Sequence, residues 1–94
     1  IQSKENKMKL NLYISKLIRS IICKVGRQEA SKLLGLSRTS IYLREYNKFK
    51  DDNQIKTLEP ISKEYCKLHP KEDLREVLMQ GLHFYLEDIL KEKV

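Results

Sequence analysis

The chain has 94 residues, 40% hydrophobic and 34% charged, with three Gly, two Pro, two Cys and a formal net charge of +6. A chain this short makes one domain, or one domain with an appended arm. It buries only about 60–65% of the surface its unfolded form exposes, which leaves little room for a deep catalytic cleft. No apolar run exceeds three residues, as at Ile21-Ile22-Cys23, so the sequence predicts no membrane span. The start lacks the charged-then-apolar-then-small pattern of a secretory signal, and two cysteines do not make a disulfide framework. A cytoplasmic protein is the expectation. The first residue is Ile1, which fits a processed chain or a piece of a longer one.

The charge is unevenly placed. Residues 1–50 carry twelve Lys and Arg against three Glu, a net of +9, whereas residues 51–94 carry seven against ten acidic residues, a net of −3. A basic half joined to a mildly acidic one predicts a polyanion-binding region over 1–50 and a region over 51–94 for core completion or dimerisation. Lysines that merely solvate helix faces are the plainer alternative.

In chain order, Leu10, Tyr13, Ile14, Leu17, Ile18, Ile21, Ile22 and Val25 recur at helical spacing and predict a first helix over about 7–24. Ser3 or Asn6 can cap it, and Gly26 stands where a helix-ending residue of positive φ is wanted. A short second helix is predicted over 27–34, with Ala30, Leu33 and Leu34 inward and Gly35 as its stop. Ser37 is a good N-cap for a third helix over about 38–48, where Ile41, Tyr42 and Tyr46 supply apolar contacts. Asp51-Asp52-Asn53 is a turn-forming cluster and marks the change of charge sign. Leu58, Ile61, Tyr65 and Leu68 predict a fourth helix with Pro60 near its first turn, ended by His69-Pro70. Leu74, Val77, Leu78, Leu82, Tyr85, Ile89 and Leu90 predict a last helix from Pro70 to about Lys91. Gly81 lies on that stripe, where it either admits a close neighbour or splits the helix; one long helix is the preferred reading. The class is all-α, with about five helices and no strand-period segment.

Residues 26–44, Gly-Arg-Gln-Glu-Ala-Ser-Lys-Leu-Leu-Gly-Leu-Ser-Arg-Thr-Ser-Ile-Tyr-Leu-Arg, carry the functional signal. Two short helices that cross closely need small residues where they meet (Ala30, Ser31), a positive-φ corner (Gly35), an apolar plug (Leu36), a cap (Ser37) and a core-facing residue on the second rod (Ile41). All fall in register. The stretch resembles the helix-turn-helix superfamily in its commonest prokaryotic form, and is similar to segments of resolvase-like and nucleoid-associated regulators and of recombinases of archaeal mobile elements. Residues 70–78 also resemble the acidic helix that follows the motif in some of those recombinases. Glu45 departs from the pattern, being charged where many relatives carry an aliphatic. An ordinary helical hairpin with a glycine turn is the bland alternative.

The resemblance implies a sequence-specific double-stranded DNA-binding protein, a small transcriptional regulator whose third helix enters the major groove. Arg38, Thr39, Tyr42 and Leu43 are the candidate base readers, Arg38 through a two-pronged bond to guanine. Lys24, Arg27, Gln28, Lys32, Ser37, Ser40, Arg44, Lys48 and Lys50 are candidates for phosphate contacts, which set register rather than sequence. Leu74, Leu78, Leu82, Tyr85 and Ile89 are the candidate dimerisation residues of a two-fold homodimer. The alternatives are the DNA-binding or arm domain of a mobile-element recombinase or partition system, and a helical protein-interaction module with a basic face. No enzyme, cofactor or small-molecule substrate is expected. Cys66 and His69 sit three apart, but a structural zinc site wants four ligands. Cys23, among Ile21, Ile22 and Val25, reads as a buried thiol.

Overall fold

The computed structural model describes residues 8–48 and 55–93, the side chains of 92 and 93 excepted. Every regular element among them is helical: α1 (Lys9–Leu34), α2 (Arg38–Glu45), α3 (Ile55–Leu68) and α4 (Leu74–Lys93). The first two predicted helices are one kinked element. Gly26 adopts φ 86° and ψ 162°, a mirror-image extended conformation essentially confined to glycine. It ends the long first arm of α1, as expected at this glycine, and a short second arm follows across the kink.

The apolar stripe of α1 lands where its period puts it. Leu10, Ile14, Leu17, Ile18 and Ile21 are buried, and Tyr13, Ile22 and Val25 pack half-buried against them. They meet Ala30 of the second arm, Ile41 of α2, Leu58 and Ile61 of α3 and Val77 of α4 in one cluster. The described parts of the basic and acidic halves thus share a single core. Cys23 is exposed rather than buried. Its apolar neighbours adjoin it in sequence, but two residues of helix turn it to the face opposite Ile21. Leu33 is likewise 37% exposed, while Ala30 and Leu34 face inward.

The start of α1 is fixed from the far end of the chain. Met8 occupies the N-cap position with no side-chain cap, and Ser3 and Asn6 lie outside the described residues. Instead the Asp88 carboxylate of α4 accepts the backbone N–H groups of Lys9 and Leu10, each at 2.9 Å. These are donors that no helical carbonyl can satisfy. Lys9 Nζ adds an ion pair to Glu87 at 2.8 Å. The Tyr13 hydroxyl donates to the Val77 carbonyl at 3.0 Å, its ring tilted against Phe84 with centroids 5.4 Å apart.

Pro60 lies at the sixth residue of α3 rather than in its first turn, because α3 begins at Ile55; the Asp51-Asp52-Asn53 cluster falls outside the described residues. Pro70 does not open α4. Residues 69–73 form a turn in which Glu72 N–H bonds the His69 carbonyl at 2.9 Å, and the first turn of α4 is anchored on the Asp73 carbonyl, which accepts Val77 N–H at 3.0 Å. α4 then continues unbroken through Gly81, as the one-helix reading held. A Cβ there would come within 2.6 Å of a Leu58 methyl, so the missing side chain is what lets α3 lie close. No described helix is long and apolar enough to cross a membrane.

Two measurements test this packing. Asp88→Ala strips one buried and one part-buried donor of their charged acceptor and is expected to lower the unfolding free energy by about 1.5–3 kcal/mol, read from urea denaturation at neutral pH. Alkaline pH gives the second. Burial pushes the Tyr13 hydroxyl from 10.0 up to about 12, and burial also raises Tyr65 and Cys66. A group whose folded pKa is raised stabilises fully below its unfolded pKa and loses that contribution as pH climbs through the folded one. Stability should therefore fall between pH 10 and about 12. Tyr13→Phe, which has no proton to lose, should flatten that fall in a urea midpoint against pH series.

Candidate nucleic-acid interface

The corner between the second arm of α1 and α2 is built by local sequence. Gly35 takes φ 65° and ψ 29°, the left-handed region that glycine enters without strain. This lets Leu36 N–H reach the Ser31 carbonyl at 3.1 Å and Gly35 N–H approach that of Lys32 at 3.4 Å. These two bonds are the Schellman pattern that satisfies the last carbonyls of a helix. The Ser31 hydroxyl donates to the Leu36 carbonyl, clamping the corner again. Ser37 is extended and its Oγ accepts Ser40 N–H at 3.1 Å, capping α2.

α2 is seated by two residues of its inner face. Ile41 is 1% exposed and joins the core. Glu45, one turn on, is also buried and makes contact with both arms of α1. Its backbone carbonyl accepts the Ser15 hydroxyl at 3.1 Å from the first arm. Its carboxylate takes the Arg27 guanidinium of the second arm in a fork, Nε to Oε1 and Nη2 to Oε2, both 2.8 Å. The charge that departs from the helix-turn-helix pattern therefore has a dedicated counter-ion. That pairing also explains why Tyr42 and Tyr46 do not supply the apolar contacts predicted for them. With Ile41 and Glu45 inward, the two tyrosines face out, 49% and 45% exposed, their rings tilted against each other with centroids 5.0 Å apart.

α2 ends at Glu45, earlier than predicted. Asn47 adopts φ 54°, and Lys48 N–H closes onto the Leu43 carbonyl at 2.7 Å. The structure places the candidate readers as follows. Arg38, Thr39 and Tyr42 are exposed, and Leu43 is half-buried. α2 has no acidic residue in its first turn, and it packs on α1 alone, so no other described helix covers it. Of the candidate phosphate contacts, Lys24, Arg27, Gln28, Lys32, Ser37 and Lys48 are exposed. Ser40 is half-buried and gives its N–H to Ser37. Arg44 is half-buried with interactions inside the protein. Lys50 lies outside the described residues. Arg27 is committed to Glu45, which raises its pKa still further.

Arg27, Gln28 and Arg38 line a cleft of about 220 Å³ whose apolar side is Ile41. Arg38 has no hydrogen-bond or ion-pair partner among the described residues, so its five donors are available to an oxyanion or a base edge. Sequence reasoning missed the outward position of Tyr46 and the Arg27–Glu45–Ser15 joint. The four-residue spacing of Arg38, Tyr42 and Tyr46 was the available signal for the first.

Cys66 and His69 do not form a ligand pair with others. Nδ1 of His69 lies 2.8 Å from the Tyr65 carbonyl, to which it must donate, and its ring stacks on Tyr65 at 4.2 Å. Among the described residues no three His, Cys, Asp or Glu side chains gather as a metal site, and both cysteines are free thiols. Comparison with protein families, curated proteins and solved structures finds no match to this chain.

Replacing Gly35 tests the corner. A Cβ there meets nothing within 4 Å, so any penalty is backbone strain alone. Gly35→Val should cost about 1–2 kcal/mol or more, whereas Gly35→Asn, which tolerates positive φ, should cost distinctly less by thermal denaturation.

Proposed function

We propose that this protein binds double-stranded DNA in a sequence-dependent way, as a small transcriptional regulator, with the second arm of α1 and α2 acting as a helix-turn-helix. The observation that carries the reading is the outer face of α2. Arg38, Thr39 and Tyr42 project from a rod that only α1 touches, and the corner before it is made by a left-handed Gly35 and a Ser37 cap. A helix held by one side and ending in exposed donors suits insertion into the major groove. The exposed Lys24, Gln28, Lys32 and Lys48 belong to the half of the chain that carries +9, whose charge supplies the sequence-independent attraction. Arg38 reads a base edge, with guanine the matching partner, and Tyr46 joins Tyr42 as a contact to thymine methyls or sugars. One eight-residue helix reads few base pairs, so two copies on a two-fold site is the form that follows.

The test begins with selection of bound sequences from a random duplex pool, followed by fluorescence anisotropy on the selected site and on a scrambled one at several salt concentrations. Affinity should fall with log salt at a slope of about 0.9 for each phosphate contacted. Arg38→Ala should weaken the selected site by about 1–3 kcal/mol and leave the scrambled site nearly unchanged. Equal losses on both would make Arg38 a phosphate clamp, and absence of DNA binding would leave the protein-interaction module.

A further inference from the structure

Of the residues expected to join two copies, Leu74, Leu78, Leu82, Tyr85 and Ile89, only Leu82 is mainly exposed, and Leu78 and Tyr85 pack on the chain's own core. The surface that selects a ligand lies elsewhere, in the cleft between the second arm of α1 and α2. Four side chains line it: Arg27 and Gln28 from the arm, Arg38 and Ile41 from α2. Ile41 is 1% exposed and gives the cleft one apolar wall. No carboxylate is among the lining side chains. Glu45, outside the lining, has both carboxylate oxygens taken by the Arg27 guanidinium at 2.8 Å. Arg27, Glu45 and Arg38 therefore sum to +1, and the uncompensated charge is that of Arg38, which has no partner among the described residues.

We propose that this cleft binds a small tetrahedral oxyanion of the phosphate or sulfate class, and that the free anion competes with DNA for Arg38. Charge, size and donor placement select the occupant. The net charge of the three ionised groups calls for an anion. The volume of about 220 Å³ falls below the roughly 300–1,000 Å³ of pockets for organic ligands. The donors stand on both walls, Arg38 on α2 and Arg27 with Gln28 on the arm. One guanidinium fork satisfies a carboxylate, as Arg27 satisfies Glu45, whereas a tetrahedral anion has oxygens for each wall. The bonds to Glu45 use two of the five N–H groups of Arg27 and fix its guanidinium in place, so less ordering remains to be done when a ligand arrives. The apolar wall at Ile41 lowers the local dielectric and strengthens the attraction. The anion site stands on the cleft alone. The competition rests on the reading of Arg38 as a DNA contact, since one guanidinium cannot serve both ligands at once.

Isothermal titration of the full chain with sodium phosphate tests this, without DNA and with ionic strength held constant by sodium chloride. The wild-type chain should bind phosphate saturably at one site. Arg38→Ala should weaken binding by at least about tenfold and Gln28→Ala by about threefold, with circular dichroism unchanged because both side chains are exposed. Arg75→Ala, at an exposed arginine of α4, should change nothing. Phosphate stabilises proteins in general by exclusion from their surface, so the thermal midpoint should rise further in phosphate for wild type than for Arg38→Ala. A titration that shows no saturation at tens of millimolar overturns the site, as does binding indifferent to both Arg38→Ala and Gln28→Ala. On the selected duplex, exchanging chloride for phosphate at equal ionic strength should weaken wild-type binding by about threefold at twice the phosphate Kd, and should leave Arg38→Ala unaffected. An equal response of the two chains overturns the competition. If Arg38→Ala loses phosphate and also weakens selected and scrambled duplexes alike, the cleft stands and its occupant in the complex is a DNA phosphate. A chain that binds phosphate at Arg38 but no DNA keeps the anion site and sinks the DNA reading.

Discussion

Gly26 makes an elbow of α1, and the placement of the other elements follows from it. With φ 86° and ψ 162° it separates two helical arms by a sharp kink. α3 and α4 pack on α1, and α2 folds back against both arms. The contact that holds α2 there is Glu45, whose carbonyl takes Ser15 from one arm and whose carboxylate takes Arg27 from the other. A residue bonded to both sides of a bend fixes the angle of the helix that carries it. The joint therefore sets the orientation of α2 and with it the outward direction of Thr39 and Tyr42, while Arg38, seven residues before Glu45, lies on the same side of the helix as the joint.

The division of cations follows from the same joint. Arg27 is spent on Glu45, and Arg44 is drawn partly into the protein. Among the remaining candidate phosphate and base contacts, Lys24, Lys32, Arg38 and Lys48 are exposed. In the proposed reading these hold phosphates, and Arg38 is the one placed at the N-terminus of α2, where reading helices meet base edges. On the far side of α1, Asp88 closes the chain by capping its first helix with its last. This commits one face of α4 to the core and leaves the opposite row of aliphatic side chains exposed. The described helices are thus arranged around α1 as a spine.

The sequence by itself determined what short-range physics controls. Helical period fixed the α1 stripe from Leu10 to Ile21 and the Leu58 and Ile61 contacts of α3. Glycine stereochemistry and a serine cap fixed the corner at 35–37, because a positive φ and a side-chain oxygen at the right offset act within one helical turn. Tertiary structure alone decided the rest. Asp88 is 78 residues from the Leu10 N–H it accepts, and Glu45 is 18 from Arg27, so no local spacing announces either bond. Nor does composition say which apolar residue stays in water. Cys23, Tyr42, Tyr46 and Leu90 read as core because hydrophobicity is a property of the residue, whereas burial depends on which face another helix happens to cover.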